Sequence, residues 1–131
     1  MSVLLSIRPQ YVDEILNGNK KYEFRKSQFK NTDVERVYMY STAPIKKIVG
    51  FFRIKSITVD APERLWVKFS DKAGINKDSF FKYFGDRPEG IAIEIGDVTV
   101  YDYPVEPQDY FPNFVPPQSF CYINDSCLKH E

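Results

Sequence analysis

The segment Gly18-Asn19-Lys20-Lys21-Tyr22-Glu23-Phe24-Arg25 places two lysines, a glutamate and an arginine within six residues. From Tyr22 onward its composition favours an extended strand, and the side chains of a strand point alternately to opposite faces. The two faces predicted in this way are Lys20, Tyr22 and Phe24 on one side, and Lys21, Glu23 and Arg25 on the other. Because each face carries an ion, neither is plain core. The segment therefore predicts a polar pocket, around which the rest of the chain builds a small barrel.

The composition of the chain is that of one soluble domain with a real core. It has 131 residues, of which 43% are hydrophobic and 27% charged. Aromatic residues reach 16%, which favours strands. The 18 basic and 18 acidic residues cancel, so the overall positive charge of a duplex-binding protein is missing. RNA or a nucleotide, held in a local basic cleft, is therefore favoured over duplex DNA as a partner.

Several chemistries and locations are disfavoured by residue content. The two cysteines, Cys121 and Cys127, have neither a metal-type spacing nor the number needed for a disulfide framework. The single histidine, His130, lies next to the end of the chain, which removes most histidine-based acid–base and metal schemes. The sequence has no charged leader and no apolar run of membrane-spanning length. We expect a cytoplasmic protein without membrane, metal or cofactor; the sequence favours no oligomeric state.

Apolar periodicity predicts an alternation of strands and helices. Strands are predicted over residues 3–7, 22–25, 34–41, 48–59, 91–95, 98–103 and 119–123, with the fifth and sixth joined as a hairpin at Gly96-Asp97. Helices are predicted over 9–17, over a stretch that follows Asp60 as N-cap and contains Leu65, Trp66 and Phe69, and over 77–84.

This pattern predicts the fold class. About six strands, an early helix and a helical insertion indicate a single α+β domain over residues 1–131. Short strands of this number need closure to hide their edges, so a closed or nearly closed β-barrel is expected.

Five blocks of the sequence occur in the order in which a known family has them. They are Leu4-Leu5-Ser6-Ile7-Arg8-Pro9 continued by Ile15-Leu16-x-Gly18-x-Lys20-x-x-Glu23-x-Arg25, then Tyr40-Ser41-x-x-Pro44, Val49-Gly50-x-Phe52, Pro62-x-x-Leu65-Trp66 and Pro116-Pro117-Gln118-Ser119-Phe120-x-Tyr122. Over about residues 3–122 the chain therefore resembles the ASCH domain family, which shares the PUA-like barrel.

The resemblance implies a β-barrel with a cleft beside the Gly-x-Lys-x-x-Glu-x-Arg segment, and RNA binding or a role as a coactivator module. One bacterial branch of the family hydrolyses the acetyl amide of N4-acetylcytidine, and ribonuclease activity has been proposed for others. That hydrolase branch uses a Lys on this segment, a Thr three residues later and a Glu from the helical insertion. Here Lys20 matches the Lys, Glu23 replaces the Thr, and Ala73 falls at the position of the insertion Glu, with Asp71 and Asp78 nearby. The chemistry of that branch is incomplete in this chain.

Lys20, Glu23 and Arg25 are the main candidate ligand contacts. Arg25 can bind a phosphate through two hydrogen bonds, and Lys20 can act there as a point charge. Glu23, with its ionised form favoured beside two cations, can orient a water molecule or accept a proton from a base edge. If the protein is an enzyme, Lys20 and Glu23 are the candidate catalytic residues. The alternative is a structural ion pair, which contributes about 0–1 kcal/mol when exposed.

Four further residues are candidates for ligand binding at the cleft. Arg8 follows the first strand and could reach the cleft or cap a solvent edge. Tyr40 could stack on a base or pack in the core. Ser41 could offer its hydroxyl to the ligand or form turn hydrogen bonds, and Ser119 could approach the cleft or help to close the barrel.

Three functions fit these residues. The first is a binding module for single-stranded RNA or a modified nucleotide, through aromatic stacking and cationic phosphate contacts. The second is a metal-independent hydrolase of a nucleoside or RNA, in which Lys20 activates or positions water and Glu23 is the acid–base group. The third is a transcription-related protein-interaction module, with the aromatic and proline-rich tail as its docking surface.

Overall fold

The structure, a computed structural model, describes residues 1–31, 33–118 and 120–124. Within these residues six strands form, which are β1 (Ser2–Ile7), β2 (Tyr22–Arg25), β3 (Arg36–Ser41), β4 (Lys47–Asp60), β5 (Gly90–Val105) and β6 (Phe120–Ile123). The α-helices are α1 (Pro9–Leu16), α2 (Pro62–Phe69) and α3 (Lys77–Phe84). The predicted early helix and the predicted helical insertion between β4 and β5 are both present.

The six strands join into one curled sheet in the order β2-β5-β4-β3-β1-β6. β1 and β3 are parallel, and the other neighbouring pairs are antiparallel. The strands β2 and β6 form the two edges, so the barrel is a half-barrel that is open between them. The predicted α+β barrel class is confirmed in this form.

The prediction of two strands joined at Gly96-Asp97 is wrong. β5 is one continuous strand that pairs with β4 from its first residue, Gly90, to its last, Val105. Gly96 lies within this strand and forms no turn. It lets the two strands approach closely, because a Cβ atom at this position would lie 2.9 Å from the carbonyl oxygen of Arg53 in β4. The register of the β4–β5 pair also shifts at two places near this point. Such irregularities bend strands, which helps the sheet to curl.

The first helix leads the chain from β1, which neighbours the edge strand β6, to β2, the opposite edge of the sheet. Pro9 occupies the first turn of α1, where its missing N–H costs no hydrogen bond. Val12 and Ile15 form the buried face and pack into the main core cluster with apolar residues of β1, β3, β4 and β5. Because the half-barrel is open between β2 and β6, and β1 pairs with β6, α1 connects the two sides of the opening.

The helical insertion packs against the edge of the sheet. Leu65 of α2 and Phe80 and Phe84 of α3 form a buried cluster with Phe24 of β2 and Ala92 of β5. The side chain of Asn76 caps α3 by accepting a hydrogen bond of 2.8 Å from the backbone N–H of Ser79. The insertion thus stands directly beside β2, the strand that carries the charged segment.

The expected N-cap of α2 is wrong by one residue. Ala61 occupies the cap position without a side-chain hydrogen bond, and Asp60 is the last residue of β4. The Asp60 carboxylate instead accepts hydrogen bonds from the backbone N–H of Ala61 and from the side chains of Arg64 and Lys68. This cluster fixes the junction between β4 and α2.

None of the helices within the described residues has the length and apolar character that a membrane crossing requires.

Candidate functional site

A cleft of about 460 Å³ lies where β1, α1 and β2 face α3. The residues that line it come from four parts of the chain. They include Ser6, Ile7, Arg8 and Tyr11 from β1 and α1, Lys20, Glu23, Phe24 and Arg25 from the charged segment, Ser79, Phe80, Lys82 and Tyr83 from α3, and Gln118 from the C-terminal segment. The charged segment and Arg8, predicted as candidate contacts, are thus brought to one concave surface.

Glu23 lies between two cations on the floor of the cleft. Its Oε2 atom accepts a hydrogen bond of 3.2 Å from the guanidinium of Arg25, and its Oε1 atom lies 3.9 Å from the Nζ atom of Lys20. Only 6% of Glu23 and 3% of Lys20 are exposed. The small contribution expected of an exposed ion pair therefore does not apply to these ions, and the alternative of a structural ion pair stays open in a buried form.

The prediction that Lys20 and Glu23 point to opposite faces is wrong. β2 begins at Tyr22, so Lys20 precedes the strand and its side chain does not follow the strand alternation. Its backbone N–H donates to the carbonyl oxygen of Glu14 in α1, which turns the chain toward the cleft. Glu23 and Arg25, both within β2, do share a face, as their contact requires.

The ammonium of Lys20 is held by the helical insertion. It donates a hydrogen bond of 2.6 Å to the carbonyl oxygen of Ala73, and its Nζ atom lies 5.0 Å from the centre of the Phe24 ring. Burial lowers the pKa of Lys20 from its usual 10.5, and the negative charges of Glu23 and Glu14 partly oppose this effect. Lys20 is a cation kept in a partly dry environment.

Gly74 makes this placement of Lys20 possible. A Cβ atom at Gly74 would lie 2.3 Å from the Cβ atom of Lys20, far inside van der Waals contact. The backbone φ of Gly74 is +64°, a conformation that side chains other than glycine rarely adopt. The insertion therefore supplies the cleft with backbone atoms at this point. Ala73 is buried and gives its carbonyl oxygen, whereas Asp71 and Asp78 are exposed and do not line the cleft.

The rim of the cleft carries exposed cations and aromatic rings. Arg8 and Lys82 are exposed, and both line the cleft. Tyr11 and Tyr83 are half-buried, and the Nζ atom of Lys26 lies 4.8 Å from the centre of the Tyr83 ring. Burial raises the pKa of the Tyr83 hydroxyl, so this ring stays a neutral stacking surface.

The C-terminal segment is fastened beside the cleft. The hydroxyl of Ser6 donates a hydrogen bond of 2.7 Å to the carbonyl oxygen of Pro117, and the next residue, Gln118, lines the cleft. The sequence left open whether this segment approaches the cleft or helps to close the barrel. Ser119, the predicted contact in it, lies outside the described residues.

Two other predicted contacts lie away from the described lining of the cleft. Tyr40 is buried in the second apolar cluster, on the other side of the sheet, with its ring 5.2 Å from that of Phe114. Burial, chiefly, and the charge of Glu106 raise the pKa of its hydroxyl, while the charge of Lys47 lowers it. Ser41 is 2% exposed at the end of β3. The buried position of Tyr40 matches the core-packing alternative that the sequence left open for it.

Sequence reasoning missed the contribution of α3. Ser79, Lys82 and Tyr83 line the cleft, while Phe80 and Phe84 on the opposite face of the same helix are buried. The amphipathic pattern of α3 predicted its buried face but gave no sign that the other face meets a cleft. Within the described part of the chain, no three His, Cys, Asp or Glu side chains cluster so as to hold a metal ion.

Comparison with known proteins identifies a relative by sequence and similar folds among solved structures. The chain is 25% identical over 126 residues to a protein of Zymomonas mobilis subsp. mobilis named ASCH domain-containing ribonuclease, and the match covers 92% of this chain and 82% of that protein. The crystal structure of ASCH from Zymomonas mobilis superposes with a TM-score of 0.89 at 23% identity, covering 98% of this chain and 91% of that chain. The N-terminal domain of Staphylothermus marinus McrB is more distant, with a TM-score of 0.54 at 14% identity over 85% of this chain and 81% of that chain.

The half-barrel with its helical insertion therefore has the fold of an ASCH-like domain, as the sequence resemblance predicted. The chain belongs to the family described as Domain of unknown function (DUF365), whose family model matches residues 1–114.

Proposed function

We propose that this protein binds single-stranded RNA or a nucleotide and takes one unpaired base into the cleft beside β2. The observation that carries the proposal is the convergence of Lys20, Glu23 and Arg25 on the floor of one cavity. The ribonuclease name of the Zymomonas mobilis relative supports RNA as the ligand class.

The size and charge of the cleft fit this ligand. Its volume of about 460 Å³ lies in the range of about 300–1,000 Å³ in which small-molecule pockets fall. A base inside the cleft would meet the rings of Tyr11, Phe24 and Tyr83, and its phosphates would meet Arg8 and Lys82 at the rim. A base in a duplex is stacked and paired, so it would have to be extruded before it entered the cleft, and a single-stranded target avoids that cost.

Binding of short labelled single-stranded RNA, measured by fluorescence anisotropy at low salt, tests the proposal. Lys82→Met should weaken binding and reduce the slope of log affinity against log salt by about 0.7 for the lost phosphate contact. Lys77→Met is the matched control, since Lys77 is exposed on the same helix but does not line the cleft. Equal losses in both variants, or no binding by the wild-type protein, would overturn the proposal.

Metal-independent RNA hydrolysis is the second candidate. The name of the relative favours it, and so does the buried Lys20 beside a carboxylate, since Lys20 could position a water molecule and Glu23 could accept its proton. Incubation of RNA with excess EDTA gives the test. Cleavage by the wild-type protein that disappears in Glu23→Gln, while RNA binding persists, would support hydrolysis. Intact RNA with the wild-type protein would refute it.

A further inference from the structure

We infer that Glu23 selects the base: the cleft accepts unpaired bases whose edge offers an amino N–H donor (cytosine, adenine and guanine) and discriminates against uracil. This inference rests on the proposed nucleotide-binding function of the same cleft. It adds a specificity-determining residue and names the ligand class by its hydrogen-bonding edge.

The two oxygens of the Glu23 carboxylate have different surroundings. Oε2 accepts the hydrogen bond from Arg25 at 3.2 Å. Oε1 has Lys20 as its nearest cation, at 3.9 Å, which is beyond hydrogen-bonding distance. Among the described residues, none donates a hydrogen bond to Oε1. Within the described part of the chain, Oε1 is thus held by the charge of Lys20 alone, and it belongs to a residue that is 6% exposed and lines the cleft, so it has capacity to accept a hydrogen bond from a ligand.

Neither neighbouring cation donates a hydrogen bond to Oε1. The Nζ atom of Lys20 already donates to the carbonyl oxygen of Ala73 at 2.6 Å, and it lies near the ring face of Phe24. The guanidinium of Arg25 is directed at Oε2 of Glu23 and at the carbonyl oxygen of Ser6, 3.5 Å away. A ligand that fills the cleft would exclude water from Oε1, so a ligand that brings a hydrogen-bond donor to this oxygen is favoured over one that does not.

The requirement for a donor separates the bases. An ionised carboxylate only accepts hydrogen bonds. Cytosine carries an amino group at N4 and adenine at N6, and guanine carries one at N2, whereas the corresponding position of uracil is the O4 carbonyl oxygen, an acceptor. The remaining donor of uracil, N3–H, lies between two carbonyl oxygens, which would approach the carboxylate with like partial charge. Uracil would therefore lack the amino hydrogen bond to Glu23, and its carbonyl oxygens would be repelled by the carboxylate.

The full-length protein and a panel of labelled single-stranded oligonucleotides test the inference. Homopolymers of C, A and U are compared with an oligonucleotide of N4,N4-dimethylcytidine, which keeps the ring of cytosine but has no N4–H donor. We expect the U and dimethylcytidine oligonucleotides to bind about fivefold or more weakly than the C oligonucleotide. Glu23→Gln should narrow this preference, because an amide offers both a donor and an acceptor. Glu63→Gln, on the exposed face of α2, is the control and should keep the preference.

The outcomes separate this inference from the function on which it rests. Equal affinity of the wild-type protein for C, U and dimethylcytidine oligonucleotides would overturn the inference and leave RNA binding intact. A preference that survives unchanged in Glu23→Gln would overturn it as well. Absence of binding to every oligonucleotide would overturn the proposed function itself. The wild-type comparison keeps the inference falsifiable if Glu23→Gln fails to fold.

Discussion

The Nζ atom of Lys20 donates a hydrogen bond of 2.6 Å to the backbone carbonyl oxygen of Ala73, a residue 53 positions away in the chain. Beside it, the backbone N–H of Lys21 donates to the carbonyl oxygen of Lys72 at 2.8 Å. These contacts tie the segment that leads into β2 to the loop between α2 and α3. Lys20 is thus positioned by the helical insertion, so substitutions in that loop should alter the position of Lys20 in the cleft.

Gly74→Ala tests this connection. The new methyl group would collide with the Lys20 side chain, at 2.3 Å from its Cβ atom. We expect a loss of about 1–3 kcal/mol in the free energy of unfolding from the overpacking, in addition to the strain of a positive φ, together with weaker RNA binding. Urea denaturation measures the first effect and fluorescence anisotropy the second.

Gly85→Ala is the control for Gly74→Ala. Gly85 has a similar φ of +59°, but a Cβ atom there would meet no atom within 4 Å. Gly85 also has a ψ of −131°, so Gly85→Ala bears backbone strain without a collision at the cleft. RNA affinity that falls equally in the two variants would show that Gly74 has no specific effect on Lys20.

The lowered pKa of Lys20 predicts a pH dependence with a definite sign. In the unfolded chain Lys20 titrates near its usual pKa of 10.5, and in the folded protein it titrates lower, because burial disfavours the charged form. Between the two pKa values the unfolded state binds more protons, so the free energy of unfolding rises with pH. The stability of the wild-type protein relative to Lys20→Met should therefore increase as the pH approaches 10.5.

Urea denaturation of both proteins over a series of alkaline pH values measures this difference. Lys21→Met removes an exposed lysine next to the site and gives the background for the loss of one positive charge. A difference between the wild-type protein and Lys20→Met that stays constant or falls toward pH 10.5 contradicts the prediction.

Local patterns predicted most of the fold because most elements are defined within their own sequence. The charged segment supplies an example, since β2 covers the predicted residues 22–25, and α3 likewise covers 77–84. β5 is different. Gly96-Asp97 resembles a turn in sequence, but Gly96 is needed for the approach to Arg53 of the neighbouring strand. That requirement comes from the pairing of β4 with β5, which local periodicity does not contain.

The site residues, like the elements of the fold, include some that local sequence predicts and some that it does not. The density of ions in one short segment was enough to predict Glu23 and Arg25 as a cleft floor, because neighbouring residues of a strand stay close in space. The partners of Lys20 were not predictable, since Ala73 contributes a backbone oxygen and Gly74 an absent side chain. Tyr40 shows the limit of residue type, because an aromatic residue on a strand fits a stacking surface and a core equally well.

The hydrogen bond from Ser6 to Pro117 should hold the C-terminal segment at the cleft. Ser6→Ala removes the donor, and we expect the free energy of unfolding to fall by about 0.5–1.5 kcal/mol. RNA binding should weaken too, because Gln118 lines the cleft and depends on this anchor. The control is Ser56→Ala, which removes a hydroxyl that donates to Glu94 at 2.8 Å on an exposed part of β4. Unchanged RNA affinity in Ser6→Ala would show that the segment does not contribute to the cleft.

Asp60 should make the protein sensitive to acid at the junction of β4 and α2. Hydrogen bonds from Arg64, Ala61 and Lys68 lower its pKa from 3.8 to about 2. Since the folded-state pKa is the lower one, the stabilisation is complete above 3.8 and is lost as the pH falls through about 2. Asp60→Asn should therefore melt at a lower temperature than the wild-type protein at about pH 6, and the two melting temperatures should converge toward pH 2.

Asp86→Asn, in the exposed loop after α3, controls for the loss of one acidic group. A gap between wild-type protein and Asp60→Asn that persists unchanged in acid would show that the carboxylate does not hold this junction.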